Sequence, residues 1–124
     1  MENADSTLIL IAHGSKDPRW RAPFERLERS LKPDLGENGV YLSYMEFVEP
    51  TPMMAVKKAV EGGARKIKML PLFMAGGAHV DQDIPPMVSK IRLAYPGLHV
   101  ELLQPIGEHP QFTKLIYRVA VESA

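Results

Sequence analysis

The chain has 124 residues, of which 45% are hydrophobic, so it can form one domain with a real core and is too short for two domains of ordinary size. Fifteen basic and fifteen acidic side chains give a formal net charge of zero, which argues against a general nucleic-acid or membrane-surface binder, because both classes depend on a positive field. Cysteine is absent, which excludes disulfides and thiolate metal sites and leaves nitrogen and oxygen as metal ligands.

The first residues of the chain favour a soluble protein. Residues 1–7 lack the basic region of a signal peptide, and the apolar run that follows is too short for a signal peptide or a membrane span. We therefore expect a cytoplasmic protein that forms one domain over residues 1–124, with residues 1–6 frayed.

Strand-like and helix-like segments alternate along the chain. In chain order, the predicted elements are a strand at 8–12, a helix at 19–31, a strand at 40–45, a helix at 51–61, a strand at 66–74, a helix at 86–94, a strand at 98–103 and a helix at 111–121. Pro33 is expected to end the first helix, and Thr51 to cap the second. Four βα units in this order predict the α/β class, with a four-stranded parallel sheet and helices on both faces.

Two histidines follow predicted strands at the point where each strand ends, and both lie beside glycines that allow a sharp turn. They are His13 and His79. Because the carboxyl ends of parallel strands meet at one edge of a sheet, both imidazoles are expected to converge in one crevice. Glu46 falls at the end of the second strand, where it could add a carboxylate ligand or accept a proton. Two imidazoles and a carboxylate favour a divalent transition metal, although a single histidine after a strand is more often structural.

Other polar residues near these strand ends have simpler interpretations. Asp81 and Asp83 are interpreted as N-caps of the third helix, before its two prolines. His109 precedes Pro110 and is expected to lie in a loop or to cap the fourth helix, while His99 begins a strand and is interpreted as structural.

Five segments spread over residues 8–117 carry a more specific signal. They are Ile11-Ala-His-Gly-Ser-Lys-Asp-Pro18, Tyr44-Met-Glu46 followed by Pro50, Gly63-Ala64, Leu70-Pro-Leu-Phe-Met-Ala-Gly-Gly-Ala-His-Val-Asp-Gln-Asp-Ile-Pro85, and Pro105-Ile-Gly-Glu-His-Pro110. In order and spacing they resemble the sirohydrochlorin cobaltochelatase family of the CbiX type. The resemblance implies the class II chelatase fold and the insertion of a divalent metal into the tetrapyrrole sirohydrochlorin without ATP. It also implies a homodimer, since short family members of about this length are homodimers.

The resemblance further assigns roles to individual residues. The family's metal-handling histidines correspond to His13 and His79, and its acidic residue on the second strand corresponds to Glu46. Co²⁺ is the implied substrate metal, with Ni²⁺ and Fe²⁺ as alternatives, and no cofactor is expected to stay bound. Insertion also needs a base, because the macrocycle loses pyrrole protons as it gains the metal, and a neutral imidazole suits that role near neutral pH.

Sirohydrochlorin carries carboxylates around its ring, so its crevice should offer cations and hydrogen-bond donors. The candidates are the hydroxyl of Ser15, the cations Lys16, Arg19 and Arg21 near the start of the first helix, and the backbone of Gly76 and Gly77.

Three other functions fit the same sequence. A siroheme-forming ferrochelatase shares the histidines, a carrier of metal or tetrapyrrole would use the same crevice without turnover, and an adapter subunit would keep only the fold.

Overall fold

Strands and helices alternate along the part of the chain that the structure describes, which contains eight regular elements and one 3-10 helix. The computed structural model describes residues 5–74 and 78–124, in the latter range without the side chains of residues 78–81. The elements are β1 (Ser6–Ala12), α1 (Pro18–Leu35), β2 (Val40–Tyr44), α2 (Pro52–Glu61), β3 (Lys66–Pro71), α3 (Ala78–Ala94), β4 (His99–Leu102), a 3-10 helix (Ile106–Glu108) and α4 (Pro110–Ser123). All four predicted strands and all four predicted helices are confirmed, with changed limits.

The strands form one parallel sheet in the order β2-β1-β3-β4. β1 is an interior strand of this sheet, with β2 and β3 as its neighbours. Leu10 on β1 pairs with Leu42 on β2 and with Leu70 on β3. The carboxyl ends of β1, β2 and β3 therefore meet at one edge, as the βαβ pattern predicts.

Helices cover both faces of the sheet because successive side chains of a strand point to opposite faces. Ile9 and Ile11 of β1 are fully buried in a core formed with α2 and α3, whereas Leu10 belongs to a smaller core against α1. Phe24 and Leu31 of α1 pack on that smaller core. The predicted α/β fold with helices on both faces is confirmed.

The predicted end of the first helix at Pro33 is wrong, because α1 continues to Leu35. Pro33 stands in the last turn of α1, where its missing N–H removes one intrahelical hydrogen bond without ending the helix. The helix ends where the N–H of Gly36 donates to the carbonyl of Lys32 at 2.8 Å, with Gly36 at a φ of 93°. Thr51, by contrast, caps α2 as predicted, since its hydroxyl accepts a hydrogen bond from the N–H of Met54 at 3.2 Å.

The predicted start of the third helix is also wrong. Helix α3 begins at Ala78, so Asp81 and Asp83 lie inside it and are not its N-caps. The prediction took the two prolines as a start signal, but a helix tolerates them where tertiary packing is strong. In α3 that packing comes from buried residues at helical spacing, which are Ile84, Val88 and Ile91.

Two strand limits differ from the predictions by more than one residue. β3 ends at Pro71 rather than at residue 74, although Leu72 still donates its N–H to the carbonyl of Ile11 at 2.8 Å. β1 begins at Ser6, which pairs with Lys66, so the last residue of the segment expected to be frayed is in the sheet. Residues 1–4 lie outside the described residues.

Helix α4 stands apart from the two cores. Its N-cap is His109, whose Nδ1 accepts a hydrogen bond from the N–H of Gln111 at 3.1 Å, which confirms the predicted capping role. α4 contains no buried residue, and within the described parts of the chain its main neighbour is the 3-10 helix. Among the described residues, none of the helices combines the length and the apolar character that crossing a bilayer requires.

Candidate active site

His13 and Glu46 lie side by side where β1 and β2 end. The ladder between these strands continues past their last residues, because Met45 donates its N–H to the carbonyl of Ala12 at 2.9 Å and Glu46 donates to the carbonyl of His13 at 3.0 Å. The two side chains thereby come together, with Nδ1 of His13 at 3.7 Å from Oε1 of Glu46. Both are open to solvent, with 60% and 54% of the side chain exposed.

Gly14 makes this close approach of the two strand ends feasible. Its φ is 101°, a conformation that side chains disfavour, and a Cβ atom at this position would collide with the carbonyl oxygen of Glu46. The glycine after His13 is therefore a packing requirement of the His13 and Glu46 pair.

Phe73 supports the imidazole of His13 from the protein side. The two ring centroids are 4.2 Å apart with an interplanar angle of 36°, and Phe73 is buried in the larger core. The ring of His13 thus has an apolar wall on one side and the Glu46 carboxylate near Nδ1. Sequence reasoning missed Phe73, whose only signal is that it follows β3, the other neighbour of β1.

A cavity of about 380 Å³ opens beside His13. Among the described residues its lining is mainly aromatic and aliphatic, with one cation, and includes His13, Gly14, Ser15, Trp20, Arg21, Phe24, Tyr44 and Leu72. Burial raises the pKa of Tyr44, so its phenol is neutral at physiological pH. Such a wall suits a flat, largely apolar ligand with a few anionic groups.

The predicted anion-binding residues differ in how free they are to bind a ligand. Arg19 is paired with Asp17, with Nη2 to Oδ2 at 2.8 Å, and this hydrogen bonding holds the pKa of the Asp17 carboxyl below its usual value. Arg21 donates from Nη1 to the carbonyl of Ser15 at 2.7 Å, and the Ser15 hydroxyl accepts from the N–H of Asp17 at 3.1 Å. Lys16 is exposed and has no hydrogen bond or ion pair within the described part of the chain. Lys16 is therefore the readily available cation, while Arg19 would have to leave Asp17.

The second predicted histidine, His79, lies in a helix and not in the loop expected after β3. His79 is in the first turn of α3 and not directly after a strand, because the helix begins at Ala78. Its side chain, together with Gly76 and Gly77, falls outside the described residues. Among the side chains that are described, no group of three histidines or carboxylates comes together, so the ligand-type residues placed in contact are His13 and Glu46.

The chain is similar to several known proteins. The family model described as CbiX matches residues 7–123. The sirohydrochlorin cobaltochelatase of Methanopyrus kandleri is 39% identical over 82 residues, which make up 65% of this chain and 57% of that protein. The sirohydrochlorin cobaltochelatase of Sulfurisphaera tokodaii is 29% identical over 111 residues, which cover 88% of this chain and 86% of the relative.

A solved structure agrees with the sequence matches. The crystal structure of a CbiX protein from Marinobacter aquaeolei superposes with a TM-score of 0.81 at 33% identity, and the match covers 95% of this chain and 93% of that one. The match to the Methanopyrus relative, by comparison, spans less than two thirds of that protein's length.

Proposed function

Because this chain belongs to the CbiX family, we propose that it is a chelatase that inserts Co²⁺ into sirohydrochlorin without ATP, for cobalamin biosynthesis. The observation that carries the proposal is the exposed pair of His13 and Glu46 at the carboxyl edge of the sheet. The names of the archaeal relatives support both the reaction and the metal. The proposed reaction takes place in the cytoplasm, because a chain without cysteine suits a reducing compartment.

In the proposed mechanism His13 handles either the metal or a pyrrole proton. Its Nδ1 faces the Glu46 carboxylate at 3.7 Å, a contact that tightens into a hydrogen bond when Nδ1 carries a proton. This tautomer leaves the lone pair of Nε2 free for the incoming metal or for a proton from the macrocycle. Phe73 limits the tilt of the ring, because its own position is set by core packing. Glu46 thus sets the tautomer of His13 and can accept the proton that His13 carries on Nδ1.

His79 supplies the second imidazole in this proposal, from the first turn of α3. Two nitrogen ligands hold a borderline-soft divalent ion while leaving positions open for the four nitrogens of the macrocycle. The metal is a substrate in this scheme and leaves with the product.

The anionic arms of sirohydrochlorin bind, we propose, to the region that follows His13. Lys16 has no competing partner among the described residues, and Arg21 borders the cavity beside His13. Arg19 could join by exchanging Asp17 for a substrate carboxylate. Ser15 and the backbone of Gly76 and Gly77 complete the proposed set.

A second copy of the chain supplies the other wall of the crevice in this proposal. The cavity beside His13 is about 380 Å³, near the lower end of the roughly 300–1,000 Å³ typical of ligand clefts, whereas sirohydrochlorin is a large ligand. Helix α4 provides an apolar surface for the contact, since five of its large side chains are between 47% and 72% exposed. They are Leu115, Ile116, Tyr117, Val119 and Val121. Exposed apolar patches of this kind mark protein interfaces, and the proposed assembly is a symmetric homodimer.

The visible spectrum of sirohydrochlorin tests the proposed function. Catalytic amounts of the protein should accelerate the spectral change on addition of Co²⁺ over many turnovers. A change limited to one equivalent would identify a carrier, and no acceleration would favour an adapter. Competition between Co²⁺ and Fe²⁺ at equal free concentration should give mainly the cobalt product, while an exclusive iron product would identify a ferrochelatase.

A further inference from the structure

Phe47 occupies an unusual backbone conformation directly beside Glu46. Its φ is 74°, and it is the one residue other than glycine with a positive φ in the described ranges. The N–H of Val48 donates to the carbonyl of Glu46 at 2.9 Å, which closes a γ-turn with Phe47 at its centre. The γ-turn with positive φ is the rare and strained form, and an aromatic residue gives it no steric relief.

The residues before and after this turn hold it in place. Before it, the N–H of Glu46 donates to the carbonyl of His13 at 3.0 Å, and Gly14 leaves room for the Glu46 carbonyl. After it, Val48 packs partly buried against the core on the α1 side of the sheet. The turn is therefore determined by its neighbours, and Phe47 itself is not needed to form it.

The side chain of Phe47 contributes little to the core. It is 64% exposed and belongs to neither of the two core clusters. A glycine at this position would adopt the same φ without strain. A strained, solvent-exposed aromatic residue next to His13 and Glu46 is more economically explained by a ligand than by folding.

We propose that the ring of Phe47 lies against the flat face of the tetrapyrrole and positions it over His13 and Glu46, an inference that rests on the proposed function. The faces of a conjugated macrocycle are apolar, while its carboxylates lie at the rim, so an exposed aromatic ring recognises the part of the substrate that Lys16 and Arg21 do not. Phe47 adjoins Glu46 in the chain, and the exposed Trp20 lines the cavity beside His13. Phe47 is in this view a binding and positioning residue.

The test uses Phe47→Ala, Phe47→Gly and Phe47→Tyr in the full chain. Metal-free sirohydrochlorin is titrated into each protein to obtain Kd from the tetrapyrrole absorbance, and KM and kcat follow from Co²⁺ insertion. Loss of the ring should raise Kd and KM about tenfold or more, as expected for the lost burial of one aromatic side chain. Phe47→Tyr keeps the ring and should stay within about twofold of the wild type.

Thermal unfolding separates binding from folding in the same variants. Phe47→Gly relieves the positive φ, so its Tm should equal or exceed that of the wild type while its binding is weak. Leu93→Ala is the matched control, because Leu93 is also an exposed apolar residue and lies on α3 near its carboxyl end. This variant should bind sirohydrochlorin normally.

Three outcomes would overturn the inference. Unchanged Kd and KM in Phe47→Ala and Phe47→Gly, with a wild type that turns over, would remove the role of Phe47 and leave the chelatase proposal intact. Weaker binding accompanied by dissociation into monomers in sedimentation would make Phe47 an interface residue. A wild-type protein that neither binds nor metallates sirohydrochlorin would overturn the proposed function and this inference together.

Discussion

Nδ1 of His13 and Oε1 of Glu46 lie 3.7 Å apart, although the two residues follow different strands and both side chains are exposed. The backbone holds the pair together, since the N–H of Glu46 donates to the carbonyl of His13 and Gly14 provides the necessary space. Substitutions of the Glu46 side chain should therefore change the chemistry of His13 without disturbing the fold.

Glu46→Gln tests this separation. The amide keeps the size of the side chain but cannot accept a proton or hold the imidazole as a carboxylate does, so the rate of metal insertion should fall by about 10-fold to 100-fold. Tm should stay near the wild-type value, because the side chain is exposed. Glu49→Gln changes another exposed carboxylate of the same loop and serves as the control. A wild-type rate in Glu46→Gln would show that His13 works without this carboxylate.

Gly14→Ala should destabilise the protein more than Gly63→Ala. Both glycines have a φ slightly above 100°, so each substitution carries the cost of that conformation, about 1–2 kcal/mol. At Gly63 no atom lies within 4 Å of the added Cβ, whereas at Gly14 the Cβ collides with the carbonyl of Glu46. Chemical denaturation measures the two free energies of unfolding, and equal losses would contradict the close packing of the two strand ends.

Asp17→Asn should lower Tm at neutral pH, and the difference from the wild type should be smaller at an acidic pH below the usual carboxyl pKa of about 3.9. Hydrogen bonds from Arg19 lower the pKa of Asp17 in the folded protein, so its stabilising contribution is present above the usual carboxyl pKa and is lost as the pH falls through the lowered value. Asparagine is also a good N-cap, so the variant isolates the charge. A Tm difference that is the same at both pH values would contradict this.

The strands and the alternation of the fold could be predicted because a central parallel strand is apolar over its whole length, as Leu8–Ala12 is. The start of α3 could not, since Pro85 and Pro86 are local start signals that the burial of Ile84 overrides. For the same reason His79 lies in the first turn of α3 and not in a loop before the helix. His13 and Glu46 were predicted as neighbours from strand ends alone, but Phe73 and the turn at Phe47 depend on contacts that no local pattern encodes.

Ile116→Lys in α4 should convert the proposed dimer into a monomer. A charge placed in the exposed apolar surface of this helix would have to be desolvated in an interface between two copies. Sedimentation velocity at micromolar concentration measures the change, and insertion activity should fall with it because the crevice loses its second wall. Leu93→Lys introduces the same charge on α3 and should remain dimeric. A wild type that sediments as a fully active monomer would contradict the dimer.

The double variant His13→Ala/His79→Ala tests the central claim most directly, by the rate at which catalytic amounts of protein convert sirohydrochlorin and Co²⁺ to the metallated product. His99→Ala is the control, since His99 lies on β4 away from the proposed site. We expect the double variant to lose most of its turnover while its Tm stays close to that of the wild type, because the proposed histidines act on the ligand and not in the core. Wild-type turnover in the double variant would show that insertion takes place elsewhere.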